Sequence, residues 1–193
     1  MGDSLARLGG TQGQSCGLDA TGLAPNTAEI TAATTTEITA TISASQVTRG
    51  VLRLFARNDI WCLTEMPLRG GRRADIMGVD AKGRIVIVEI KVARGDLLGD
   101  SKWTDYLEFC DRFYWGLAPQ LDRACMQTET FRPEVCGLIV ADGYDAEILR
   151  PAASLPLAAT RRKAEVERLA RASMRRQVVA GDPMLSAWDS DDH

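Results

Sequence analysis

Residues 74–92 read ADIMGVDAKGRIVIVEIKV, and this stretch decides the fold. Ile85–Val88 is an unbroken β-branched apolar run, which marks a central strand covered on both faces. The segment Asp80-Ala81-Lys82-Gly83 before it is a turn signal, so strands are expected over about 73–80 and 84–92. A three-residue loop, 81–83, with Gly83 in the left-handed region is the common type I turn plus bulge. It pairs residue 80 with 84, and counting back along both strands sets Asp75 opposite Glu89. Glu89 and Lys91 are two apart on a strand and share a face, while Ile90 points into the other layer. A slip of one residue would separate Asp75 from the other two.

The neighbouring segments follow from the same patterning. Ser45 reads as the N-cap of a helix over about 46–58, with Val47, Val51, Leu54 and Phe55 on one face and Arg49, Arg53 and Arg57 on another. IWCLTEMPL (60–68) reads as a strand that Pro67 places at an edge or an end. Asp100 or Ser101 is expected to cap a helix whose core face carries Trp103, Tyr106, Leu107, Cys110 and Phe113, with FYWGLA already turning to strand. Residues 120–133 read as loop, 135–142 and 144–150 as a hairpin about Asp142-Gly143, and 156–178 as a last helix. Tight turns imply a largely antiparallel meander covered by helices.

Composition narrows the chemistry. The apolar fraction of 45% suits one globular core, and no run of about 18 apolar residues suggests a membrane span. The first residues lack the basic-then-apolar pattern of a secretory signal. The five cysteines are odd in number and have no CxxC pair, which fits reduced thiols, a cytoplasmic setting and no structural zinc. The single histidine is His193, so histidine bases and histidine metal ligands are improbable. Carboxylates and lysine must carry any catalysis.

Net charge is −3, unevenly spread. Residues 1–44, Thr/Ala/Gly-rich and without an aromatic residue, read as a disordered extension. Residues 45–178 read as one domain and 179–193 as an acidic tail. Between Arg161 and Arg176 seven basic residues face two acidic ones, so Arg161, Arg162 and Arg168 are candidate DNA contacts; a merely solvated face is the alternative. Arg72 and Arg73, beside the Asp75 strand, are further candidates.

Two half-buried carboxylates side by side are costly unless a cation neutralises them. Oxygen ligands without histidine or thiolate favour Mg²⁺ or Mn²⁺. Such an ion binds a phosphate oxygen and acidifies a water, and Lys91 can steady that water or the developing charge. Asp75, Glu89 and Lys91 are therefore the expected catalytic set, with Asp75 and Glu89 as metal ligands and Glu65 as a candidate additional ligand. Against this stands a plain ion pair at a strand end, since Glu-x-Lys is common by chance.

The Asp75…Glu89-Ile90-Lys91 pattern resembles the PD-(D/E)XK nuclease superfamily, although Ala74 stands where the nominal motif has proline. The resemblance implies a restriction-endonuclease-like αβββαβ core of α+β class, with a mixed central sheet flanked by helices. RRADIMGVD (72–80), VEIKVARGDLLGDSKWTDYLEFCDRFYWGLA (88–118) and GLIVADGYDAEILR (137–150) are similar to the bacterial MmcB family of DNA-repair endonuclease-like proteins, over roughly 45–175. That implies a Mg²⁺- or Mn²⁺-dependent DNA endonuclease in repair, with DNA and other repair proteins as partners and no membrane. Lys102, in the SKW stretch, is then a candidate contact to the scissile phosphate. The alternative is a non-catalytic DNA- or partner-binding module that keeps the fold.

Overall fold

A computed structural model describes residues 41–99, 102–182 and 184–185. The elements run α1 (Ala44–Arg57), β1 (Ile60–Pro67), β2 (Arg73–Asp80), β3 (Ile85–Lys91), α2 (Arg94–Gly99), a 3-10 helix at Trp103–Phe109 and β4 (Arg112–Leu117). Two short 3-10 turns (Ala124–Gln127 and Glu129–Phe131), β5 (Gly137–Ala141), β6 (Ala146–Arg150) and α3 (Ala159–Gly181) follow. The strands form one six-stranded sheet in chain order, β1 to β6. The β1/β2, β2/β3 and β5/β6 pairs are antiparallel, and β3/β4 and β4/β5 are parallel. The fold is α+β with a mixed sheet between helices, in the expected αβββαβ order.

The β2–β3 register is the one the sequence dictates, with Ile76 opposite Val88 and Val79 opposite Ile85. Gly83, at φ +73°, donates its N–H to the Asp80 carbonyl at 2.8 Å, and Asp80 N–H bonds the Arg84 carbonyl at 3.1 Å. All seven residues of β3 are buried, as a strand at the middle of a covered sheet requires. One face packs Ile76, Val86, Val88, Ile90 and Tyr114 against Val47, Val51 and Phe55 of α1. The other packs Met77, Ile87, Phe113 and Trp115 against Trp103, Tyr106 and, from α3, Leu169 and Ala172. Trp103 and Tyr106 are core residues, as expected.

Several boundaries differ from the sequence reading. Ser43, not Ser45, caps α1: its side chain accepts from Gln46 N–H while the Gln46 side chain accepts from Ser43 N–H, a reciprocal capping box. Where a helix was expected from Asp100 or Ser101 through Phe113, the chain forms a 3-10 helix and then a strand into which Phe113 falls, and α2 ends just before it; Asp100 and Ser101 themselves lie outside the described residues. The aromatic spacing there reflects a 3-10 face followed by a strand face, both turned to one core. The loop 120–133 holds two 3-10 turns, and the last helix runs 159–181 rather than 156–178. The sheet is less antiparallel than a meander, because the β3–β4 and β4–β5 connections are crossovers. The extension expected over 1–44 and the acidic tail lie largely outside the described residues. Among those described, no helix is long and apolar enough to cross a membrane.

Candidate functional site

Strand alternation breaks where β1 pairs with the start of β2, and the candidate site sits there. On β1, Leu63 faces the α3 side and Cys62 the α1 side, yet Met66 is again on the α3 side. On β2, Met77 faces the α3 side and Ile76 the α1 side, yet Ala74 also faces α3. The parity flips at Glu65 and at Asp75, and the ladder passes from Thr64–Ile76 to Met66–Ala74 without pairing the residues between. Glu65 has φ +51°, a left-handed conformation that few non-glycine residues adopt. This kink takes Asp75 out of the regular pleat.

Asp75 uses its side chain where the ladder stops. Its Oδ2 accepts the Ile90 N–H at 2.7 Å, one step beyond the last backbone pair of β2 and β3. Glu89 and Lys91 are 7% and 5% exposed, and Lys91 Nζ lies 3.5 Å from Glu89 Oε1 and 3.6 Å from Asp96 Oδ1. Asp75, Glu89 and Lys91 line one cleft of about 510 Å³, together with Glu65, Asp96 and the first turns of α1 at Ser45 and Thr48. Burial holds the Asp75 carboxyl above the ordinary range; the Ile90 N–H and the Lys91 charge pull it down, while Glu65 and Asp96 push it further up.

The sequence-named residues divide. Asp75, Glu89, Lys91 and Glu65 share the cleft. Arg73 is ion-paired with Glu65 at 2.5 Å on its rim. Arg72 bonds Asp105 at 3.1 Å and lies over the Tyr106 ring, and Lys102 is exposed at the start of the 3-10 helix. The α3 arginines do not form one free cationic face. Arg162 clamps buried Asp111, with Nη2 to Oδ1 at 2.5 Å. Arg168 clamps buried Glu165 at 2.5 Å, and Arg161 stacks on Phe109 at 4.8 Å. Buried acids, which the linear charge count treats as solvated, recruit Arg162 and Arg168.

Asp96 was not singled out from the sequence, although an acidic residue in the first turn after the Glu-x-Lys strand was a readable signal. Ser45 reads from the sequence only as a helix cap, and Thr48 carries no separate signal. Among the described residues, no group of three or more His, Cys, Asp or Glu side chains stands ready to hold a metal ion. Thiol chemistry is unfavourable, since burial pushes Cys62 and Cys136 up to about 12.

The family model described as DNA repair protein MmcB-like matches residues 31–184. A protein of unknown function from Silicibacter pomeroyi shares 36% identity, with a TM-score of 0.64 over 74% of this chain and 94% of that one. A repair endonuclease from Pyrococcus abyssi aligns at 21% identity over 48% of this chain and 45% of its own, with a TM-score of 0.32, too slight a likeness to bear on the chemistry. No curated protein matches the chain.

Proposed function

The chain belongs to the MmcB-like DNA repair protein family, and from that premise we propose that it is a Mg²⁺- or Mn²⁺-dependent DNA endonuclease with Asp75, Glu89 and Lys91 as its catalytic set. A role in DNA repair is the family's own. The observation that carries the nuclease reading is the convergence of these three side chains in one cleft at the kinked end of the central hairpin. The donor set fits a hard cation. Mg²⁺ is commonly held by one or two carboxylates, with water and substrate phosphate completing the shell. Asp75 and Glu89 would be those ligands, with Glu65 beside them. Bound there, the ion would polarise a phosphate oxygen and acidify a water.

The chain's own groups supply the rest. The Ile90 N–H fixes the Asp75 carboxylate, leaving its other oxygen toward the cleft. Glu89 and Asp96 hold the Lys91 ammonium from two sides. The ammonium can then meet charge developing on phosphate from a fixed position. The DNA backbone is the expected partner, and the thiols that stand free at Cys62, Cys110, Cys125 and Cys136 support a cytoplasmic setting.

The buried Lys91–Glu89 pair favours one other reading, a non-catalytic module that binds DNA or another repair protein and uses these charges structurally. A cleavage panel over nicked, branched and damaged DNA with Mn²⁺ separates the two. The nuclease reading expects cleavage of at least one substrate, lost in Asp75→Asn and in Lys91→Met. Binding without cleavage throughout supports the module, and cleavage that persists in both variants overturns the assigned catalytic set.

A further inference from the structure

Strand β1 joins two hollows at the edge of the sheet. Glu65 lines the carboxylate cleft, and the residues just after it floor a second groove of about 510 Å³ that the C-terminal half of α3 closes. Leu68 and Met174 give this groove an apolar lining, and Arg69, Arg168, Arg171 and Arg175 give it charge. Among the described residues, no carboxylate lines it. Positions 168, 171 and 175 recur at helical spacing, so they form one stripe about 10 Å long. Arg168, held by Glu165 on the same helix, pins α3 to β1 through the Pro67 carbonyl. Arg69 and Arg171 are exposed and have no ion-pair partner among the described residues. One residue on from Arg175, Arg176 bonds the Glu65 carbonyl at 3.2 Å, which carries the basic row from the groove to the rim of the cleft.

We propose that this groove seats the phosphate backbone of a DNA strand that passes round the β1 edge into the carboxylate cleft. The inference deepens the nuclease reading of the cleft, but the charge of the groove stands apart from it. It also moves the phosphate contact along α3. Arg161 and Arg162 spend their guanidinium groups on Phe109, Glu108 and Asp111, whereas Arg69 and Arg171 point cationic heads at open solvent beside an apolar floor. A long cationic side chain laid on apolar surface beside a stripe of like charges suits a polyanion of regular spacing.

The test is equilibrium binding of a labelled DNA duplex in EDTA, followed from about 50 to 200 mM salt. Each phosphate contact contributes about 0.9 to the slope of log affinity against log salt, so Arg69→Gln with Arg171→Gln should flatten it by about 1.8. Arg69→Lys with Arg171→Lys keeps the charges and should keep the slope. Lys82→Gln, in the β2–β3 turn at the far end of the hairpin, should leave it unchanged. An unchanged slope in the glutamine double variant overturns the proposal, as does an equal loss per charge from Lys82→Gln. An unchanged slope with altered sedimentation of the protein alone would assign the groove to a second copy and likewise overturn it. If the slope flattens as expected but Mn²⁺ brings no cleavage of any substrate, the groove stands and the nuclease reading falls.

Discussion

Asp111 shows how much one buried carboxylate organises. It accepts the N–H groups of Ile85 at 2.8 Å and Leu157 at 2.9 Å, and Arg162 grips both of its oxygens. One side chain thus ties β3, the segment before α3, and α3 itself. Burial alone would raise its pKa, but the Arg162 and backbone hydrogen bonds outweigh that and hold it below the ordinary range. With a depressed folded-state pKa, its contribution to stability is full above the unfolded value of about 3.9 and is lost as pH falls through the folded one. Asp111→Asn should cost about 2–3 kcal/mol at neutral pH. The gap between variant and wild-type urea midpoints should narrow as the pH is taken below about 4. A gap that stays constant into acid would show that charge at Asp111 is immaterial. Arg162→Gln should likewise lower stability before it touches DNA affinity, the reverse of what a phosphate contact would do.

Among the elements, β1 carries the least expected feature. A strand normally welcomes β-branched residues, but Glu65 sits at φ +51°, where a branched side chain clashes with its own backbone. Glu65→Val should therefore cost about 1–2 kcal/mol, while Glu65→Gly should lie within about 1 kcal/mol of wild type. A stabilising valine in chemical denaturation would mean that the kink is absent in solution. Helix α1 offers a second check: Ser43→Ala removes the cap and should cost about 1 kcal/mol, and Ser45→Ala should cost little. Equal effects would restore Ser45 as the cap. The contrast marks what a sequence makes legible. The β2–β3 register follows from a tight turn and an unbroken apolar run, both local signals, and it placed Asp75 against the end of β3. The parallel pairing of β3 with β4 joins Val86 to Arg112 across a connection with no local signature. The arginine stripe on α1 reads in the sequence only as a second helix face; in the fold Arg49 and Arg53 bind the carbonyls of Gly143 and Tyr144, about ninety residues away. Gly50 lets that turn approach, since a Cβ there would lie 2.4 Å from the Asp142 carbonyl.

For the molecule as a whole, the central claim is that Asp75 and Glu89 hold a divalent cation in a cleft otherwise strained by its own charge. Lys91 lies 3.5 Å from Glu89, so a plain ion pair is the competing account. The two accounts diverge once metal is added. A ligand that binds only the folded state stabilises it by mass action, by about 2.7 kcal/mol at a hundred times its dissociation constant, and so raises the melting temperature. Without metal, Asp75→Asn should be neutral or mildly stabilising, because it removes a carboxylate that burial already disfavours. Lys91→Met should be destabilising, since it leaves Glu89 buried without its nearest cation. The most direct measurement is thermal unfolding of the wild type, Asp75→Asn and Glu89→Gln across a Mn²⁺ titration at fixed ionic strength. The account predicts a saturable rise in melting temperature for the wild type and none for either variant. A wild type indifferent to Mn²⁺, or a rise of equal size in all three proteins, would contradict it.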